Sequence, residues 1–137
     1  MISLYFYISV SIPSPVFVTR EIGQDVVFMS NITNILVFKW GIRDGNTDGL
    51  IQGFIRYDKG IIDAIIMDEK LNSSSYAGRV SFVGDLTKGH AWFKITNLNI
   101  NDTNQYMANI YIAAGYQYFP VKLTVVQPTS KYNPAIN

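Results

Sequence analysis

The sequence predicts an all-β fold, a two-sheet Greek-key β-sandwich, and three observations predict it. Short runs of apolar residues alternate with polar ones at period two, the pattern of strands buried on one face. Turn residues punctuate those runs at sandwich-like spacing: Ile22-Gly23, Asp58-Lys59-Gly60, the Gly84–Gly89 segment and Ala113-Ala114-Gly115. The apolar fraction is dominated by Ile, Val, Phe and Tyr, residues that suit a pleated, half-buried surface.

Taken in order, Val16 and Val18 open a first strand that ends at Ile22-Gly23. Asp25 to Ser30 is the second, with Val26, Phe28 and Ser30 on one face, and Leu36 to Trp40 is the third, with Leu36, Phe38 and Trp40 inward. Leu50 to Tyr57 and Ile61 to Met67 are two apolar runs joined by a hairpin signal at Asp58-Lys59-Gly60. Gly78 to Phe82 is a short strand before a Gly-rich turn. In the next pair, Phe93 and Ile95 alternate with Lys94 and Thr96, and Leu98 lies under a polar corner. Beyond that corner, Tyr106, Ala108 and Ile110 alternate with Met107, Asn109 and Tyr111. Tyr116 to Val126 is the last strand.

A chain of 137 residues fits one domain with a respectable core, placed at residues 15–126. Residues 1–14, MISLYFYISVSIPS, are apolar and uncharged and fall short of the about 20 residues a membrane-spanning helix needs. They read either as an atypical signal sequence, with Ser9-Val10-Ser11 as a small-x-small cleavage pattern, or as an N-terminal arm. Residues 127–137, QPTSKYNPAIN, read as a linker. Any membrane attachment is expected through segments outside this chain. The net charge of +1 and the lack of a Lys/Arg run argue against nucleic-acid binding.

Several landmarks resemble the immunoglobulin superfamily. Leu98-x-x-x-Asp102-x-x-x-Tyr106-x-Ala108 is similar to that family's E–F corner. The resemblance implies that Tyr106 opens strand F and that its hydroxyl bonds back to the corner backbone. Ser30, Trp40 and Ala108 stand where the family has Cys, Trp and Cys, so both sulfurs of the inter-sheet disulfide are replaced. Gly78-Arg79-Val80 resembles the opening of strand D in V-set domains of the coxsackie–adenovirus-receptor type. That implies an Arg79–Asp102 pair, either a bridge closing the bottom of the sandwich or a surface pair of small energetic value. The two extra runs before Arg79 fit strands C′ and C″ of a variable-type domain. Losing the bridge forgoes about 4.5 kcal/mol on the chain-entropy model. Burial of Trp40, Phe28, Phe38 and Phe93 at about 25 cal/mol per Å² is of the same order.

Without cysteine the chain leans toward the cytosol. Three N-x-S/T sequons, at Asn31, Asn72 and Asn101, fall at strand ends or loops and turn the expectation toward the cell exterior. His90, near Lys88 and Asp85 in the Gly-rich turn, has no nucleophile partner and reads as a surface histidine. Asp44 to Gly49 matches half of a calcium loop, but Ile55 stands where its closing Glu belongs, so a plain turn is expected. Asp68-Glu69 is a lone acidic pair. No enzyme, metal site, cofactor or small-molecule substrate is expected.

The resemblance places partner binding on the outer face of strand G (Tyr116 to Val126), strand F (from Tyr106), strand C (Leu36 to Trp40) and strand C′ (Leu50 to Tyr57). Alternation puts Val37, Lys39, Gln52, Phe54, Arg56, Met107, Asn109, Tyr111, Tyr118 and Lys122 there, with no acidic residue among them. Aromatics, Met and a few cations are typical of contact surfaces. A mostly uncharged aromatic patch also meets the self-complementarity of a two-fold pairing. Tyr111, Tyr118 and Phe54 are the expected anchors, and Lys39, Arg56 and Lys122 the expected rim. Cysteine-free V-set-like distal domains resemble those of colonial-hydroid allorecognition receptors, which engage like molecules on opposing cells. Cysteine loss also occurs in distal domains of CD2-type adhesion receptors. The expectation is therefore an extracellular recognition domain, homophilic between cells. The alternatives are a structural immunoglobulin-like spacer and a heterophilic immune-type receptor domain.

Overall fold

The computed structural model describes residues 11–128. Residues 1–10 of the expected signal sequence or arm at 1–14, and residues 129–137 of the expected linker at 127–137, lie outside the described residues. Nine strands are described: β1 (Val16–Glu21), β2 (Val26–Asn31), β3 (Val37–Arg43), β4 (Leu50–Asp58), β5 (Ile62–Met67), β6 (Val80–Phe82), β7 (His90–Ile95), β8 (Asn104–Ile112) and β9 (Gly115–Val126). They form a six-stranded sheet of order β1-β9-β8-β3-β4-β5 and a three-stranded sheet of order β2-β7-β6. β1 runs parallel to β9, from Val16 opposite Val121 to Glu21 opposite Val126. The other pairings are antiparallel. This is the two-sheet sandwich of a variable-type immunoglobulin domain, with β4 and β5 in the places of C′ and C″.

Alternation sets the layers. Val26, Phe28 and Ser30 on β2, and Ala91, Phe93 and Ile95 on β7, turn inward, and their neighbours turn to solvent. Trp40 on β3 lies between the sheets, parallel to Phe93 with centroids 4.8 Å apart and 5.2 Å from Phe28. Ser30, Trp40 and Ala108 line one cavity of about 360 Å³ that Pro13, Ser14 and Val16 also line. The space that a disulfide would bridge is bordered by those three residues, and stacked rings replace it as the centre of the core.

At the other end, Ile100–Asp102 forms a 3-10 turn capped by Asn99. Tyr106 Oη donates to the Asp102 carbonyl oxygen at 2.6 Å, as the corner resemblance implies. Arg79 Nη1 and Nη2 donate to the two Asp102 carboxylate oxygens at 2.7 and 2.9 Å. The side chains are 13% and 1% exposed, so this is a buried bridge rather than a surface pair. Arg79 also donates to the backbone oxygens of Ser75, Thr96 and Asn97, which ties β6 to the corner. His90 opens β7 rather than sitting in the turn, half-buried and stacked on Trp92 at 4.3 Å.

The pairing of β3 with β4 carries the main departure from simple alternation. Trp40 faces Ile55 and Gly41 faces Gly53, so Phe54 is an extra residue, a β-bulge. Gly41 suits this place because a Cβ there would overlap the Gln52 carbonyl oxygen. A one-residue insertion moves the preceding side chains to the other face. Phe54 therefore turns into the core, fully buried against Trp40 and Tyr76, and Gln52 pairs with the buried Ile42. Both were expected on the outer face; the bulge corrects both.

Candidate recognition face

Residues paired across a sheet share a face, so the outer surface of the six-stranded sheet can be read in rows. One row runs Tyr118, Asn109, Lys39, Arg56, Ile66 across β9, β8, β3, β4 and β5. The next, two residues along, runs Tyr116, Tyr111, Val37, Asp58. The row on the other side is Pro120, Met107, Gly41, Gly53.

The turn between β3 and β4 folds back over that third row. Arg43, buried at the end of β3, donates through Nε to the Thr47 carbonyl at 2.8 Å and through Nη2 to that of Asn46 at 2.9 Å. Its Nη1 reaches Gln105 Oε1 at 3.4 Å. Asn109 Nδ2 donates to the Asp48 carbonyl oxygen at 2.9 Å. The turn is thus tied to β8 on both sides of Met107, which explains why Met107, expected at the surface, is fully buried. The Asp44 to Gly49 segment closes on itself through Asp44 N–H to the Gly49 carbonyl at 2.9 Å. Among the described residues no group of three or more His, Asp or Glu could hold a metal.

The folded turn also brings an acid to the face. Asp48 lines one groove with Tyr116 and Tyr118, and burial first, then the charge of Asp48, pushes the Tyr118 phenol upward from its ordinary value. Asp58 lies in the second row. The expectation of a face without acidic residues is corrected by these two. Exposed rings on the face include Tyr111, 37% exposed, and Tyr116, 53% exposed, with centroids 5.0 Å apart; Phe17, at the β1 edge opposite Lys122, is 74% exposed. Tyr116 stacks on Tyr118 at 6.1 Å, and Tyr118 itself is nearly buried. Tyr116 is not among the expected face residues although it shares the parity of Tyr118 and Lys122 on β9, and its pairing with Tyr111 places it on the face.

Lys39 and Arg56 stand directly opposite each other, and among the described residues neither is in an ion pair. Facing like charges are unfavourable. They border a groove of about 430 Å³ that Gly49, Gly53, Asp68 and Asn109 also line. Gly53 leaves its floor open, since a Cβ there meets nothing within 4 Å. The Asp68 carboxylate is engaged in capping, accepting from Lys70 N–H at 2.8 Å. These two cations therefore sit mid-face, not at the rim where they were expected. Lys122 is nearer the edge, 5.9 Å from the ring of Phe17 on β1. Val37 and Asn109 lie on the face as expected, both half-buried. The three sequons are exposed elsewhere: Asn31 ends β2, Asn72 lies in the 3-10 turn Glu69–Ser73, and Asn101 lies in the corner.

No family model and no curated protein matches the chain. Solved structures do. A structure described as Tim-1 superposes with a TM-score of 0.69 at 16% identity, covering 88% of this chain and 100% of the other. Tim-4 in complex with phosphatidylserine gives 0.63 at 16% identity, covering 81% and 98%. The extracellular portion of mouse CD200RLa gives 0.62 at 13% identity, covering 85% of this chain and 58% of that one. At such identities the likeness establishes the fold, an immunoglobulin variable-type sandwich.

Proposed function

We propose that the domain is an extracellular recognition module of a cell-surface receptor, without enzymatic activity, that binds protein through the outer face of its six-stranded sheet. The favoured partner is a second copy of the chain on an opposing cell, as the colonial-hydroid resemblance implies. The observation that carries this reading is the juxtaposition of the exposed Tyr111–Tyr116 pair with Lys39 and Arg56, in no ion pair among the described residues, on a face that no sequon occupies. Rigid rings bury area at low entropic cost. The groove at Lys39 and Arg56 suits an acidic side chain of the opposing copy, and Asp48 and Asp58 on the same face make the pairing self-complementary in charge. Weak single contacts suffice where opposing cells supply many copies.

A second reading is an anionic lipid headgroup in that groove. One of the similar structures is Tim-4 in complex with phosphatidylserine, and the cation pair favours an anion. A spacer without a ligand has less support, because it gives no reason for two facing cations beside exposed tyrosines. Bead aggregation measured beside flotation with phosphatidylserine vesicles separates the first two readings. Gly53→Leu, which fills the groove floor, should weaken whichever is correct.

A further inference from the structure

We propose that Asn31 carries an N-linked glycan whose first N-acetylglucosamine packs on Trp92, closing the outer face of the three-stranded sheet. That face presents Val27, Met29 and Asn31 from β2 beside His90, Trp92 and Lys94 from β7. Met29 is 61% exposed and stands opposite Trp92, and Asn31 stands opposite His90. Trp92 Nε1 donates to Asn31 Oδ1 at 2.8 Å. An indole N–H can only donate, so the amide oxygen takes this bond and Nδ2 is left out of it, next to the indole edge.

Nδ2 is the atom that glycosylation uses. It displaces the pyrophosphate of a lipid-linked oligosaccharide: the sugar C1–N bond forms, the C1–O bond to the carrier breaks with its electron pair leaving on the lipid pyrophosphate, and the one proton lost from Nδ2 goes to that leaving group. The Asn31 oxygen keeps its lone pairs, so the bond from Trp92 survives and holds the linkage beside the ring. Thr33, the third sequon residue, is exposed, as is Asn31. His90 already stacks on Trp92 with planes 12° apart, so the sugar meets the remaining ring surface and the Met29 side chain. Burying aromatic and thioether surface under a sugar removes an apolar patch from water. Asn72 and Asn101 lie instead in short 3-10 turns.

The test is to secrete the domain from eukaryotic cells, map site occupancy by peptide mass spectrometry, and trim the glycans to a single N-acetylglucosamine. Thr33→Ala removes the sequon and leaves the Asn31–Trp92 bond intact. The trimmed wild type should carry the sugar at Asn31 and melt about 3 °C or more above Thr33→Ala. That difference should vanish in a Trp92→Ala background. Upfield ring-current shifts of the sugar protons give the same answer without a Trp92 variant. An unmodified Asn31, an equal melting difference with and without Trp92, or unshifted sugar protons would each overturn the proposal.

Discussion

The hydroxyls of Tyr76 and Tyr106 are hydrogen-bonded to each other at 2.9 Å in the core. Tyr106 donates its own proton to the Asp102 carbonyl oxygen, which can only accept, so Tyr76 is the donor to Tyr106. The chain of bonds runs from the segment before β6, through the first turn of β8, to the corner. Beside it, Arg79 holds the Asp102 carboxylate, with its guanidinium carbon 5.3 Å from the Tyr76 ring centroid.

Tyr106→Phe removes both hydroxyl bonds and leaves the Tyr76 hydroxyl and the Asp102 carbonyl short of a partner. A loss of about 1–3 kcal/mol is expected. Tyr76→Phe leaves the Tyr106–Asp102 bond in place and should cost about 1 kcal/mol. Denaturant melts that reverse this order would contradict the direction assigned to the shared proton.

Arg79→Ala should cost more than either. From sequence, an exposed Arg79 would make this the milder change, but the structure buries the pair. Removing the cation strands a carboxylate that is 1% exposed, with the Asn99 N–H at 3.0 Å as its remaining partner among the described residues. Breaking a buried pair from one side costs about 3–5 kcal/mol. Urea melts of the two variants at one pH decide the ranking.

Alkaline stability follows from the same pair of rings. Burial, the largest cause, raises both the Tyr76 and the Tyr106 phenols above the ordinary value. The unfolded chain then loses these protons first, at about pH 10. Stability should be fully present below that pH and fall as pH rises beyond it. In Tyr76→Phe/Tyr106→Phe the fall should be shallower, as read from melts between pH 8 and 11.

Restoring the absent bridge is a further test of the fold. Ser30 and Ala108 are buried and line the same cavity beside Trp40. Ser30→Cys/Ala108→Cys should oxidise to a disulfide and add up to about 4.5 kcal/mol on the chain-entropy model. Thiol titration and melting under oxidising and reducing conditions check both parts.

Much of the sandwich was legible because period-two alternation and the Leu98-Asp102-Tyr106 corner are local patterns. Trp40 beside Ser30 and Ala108, and the Arg79–Asp102 pair, lie where the family resemblance implied. Non-local geometry was not legible. One inserted residue at Phe54 moved Gln52 and Phe54 off the outer face, and nothing in Gly-Phe-Ile marks it except Gly41 on the partner strand. The burial of Arg43 has no periodic signal, although its place just before the Asp44-Gly45 turn is one. Its bonds fold that turn over Met107 and bring Asp48 to Tyr118. Tyr76 lies outside any strand and gave no periodic signal. The outer surface of the sheet was thus legible as a surface, but Phe54 and Tyr118, expected as exposed anchors on it, are buried, and Tyr116 is the exposed ring beside Tyr111.

Self-recognition is tested most directly by aggregation of beads or cells carrying the domain, compared between Tyr111→Glu/Tyr116→Glu, Lys39→Glu/Arg56→Glu and, on the other sheet, Lys94→Glu. The account predicts that the first two abolish aggregation while Lys94→Glu leaves it unchanged, with all three secreted at similar levels. Aggregation that persists in the first two and is lost with Lys94→Glu would contradict the assignment of the binding face.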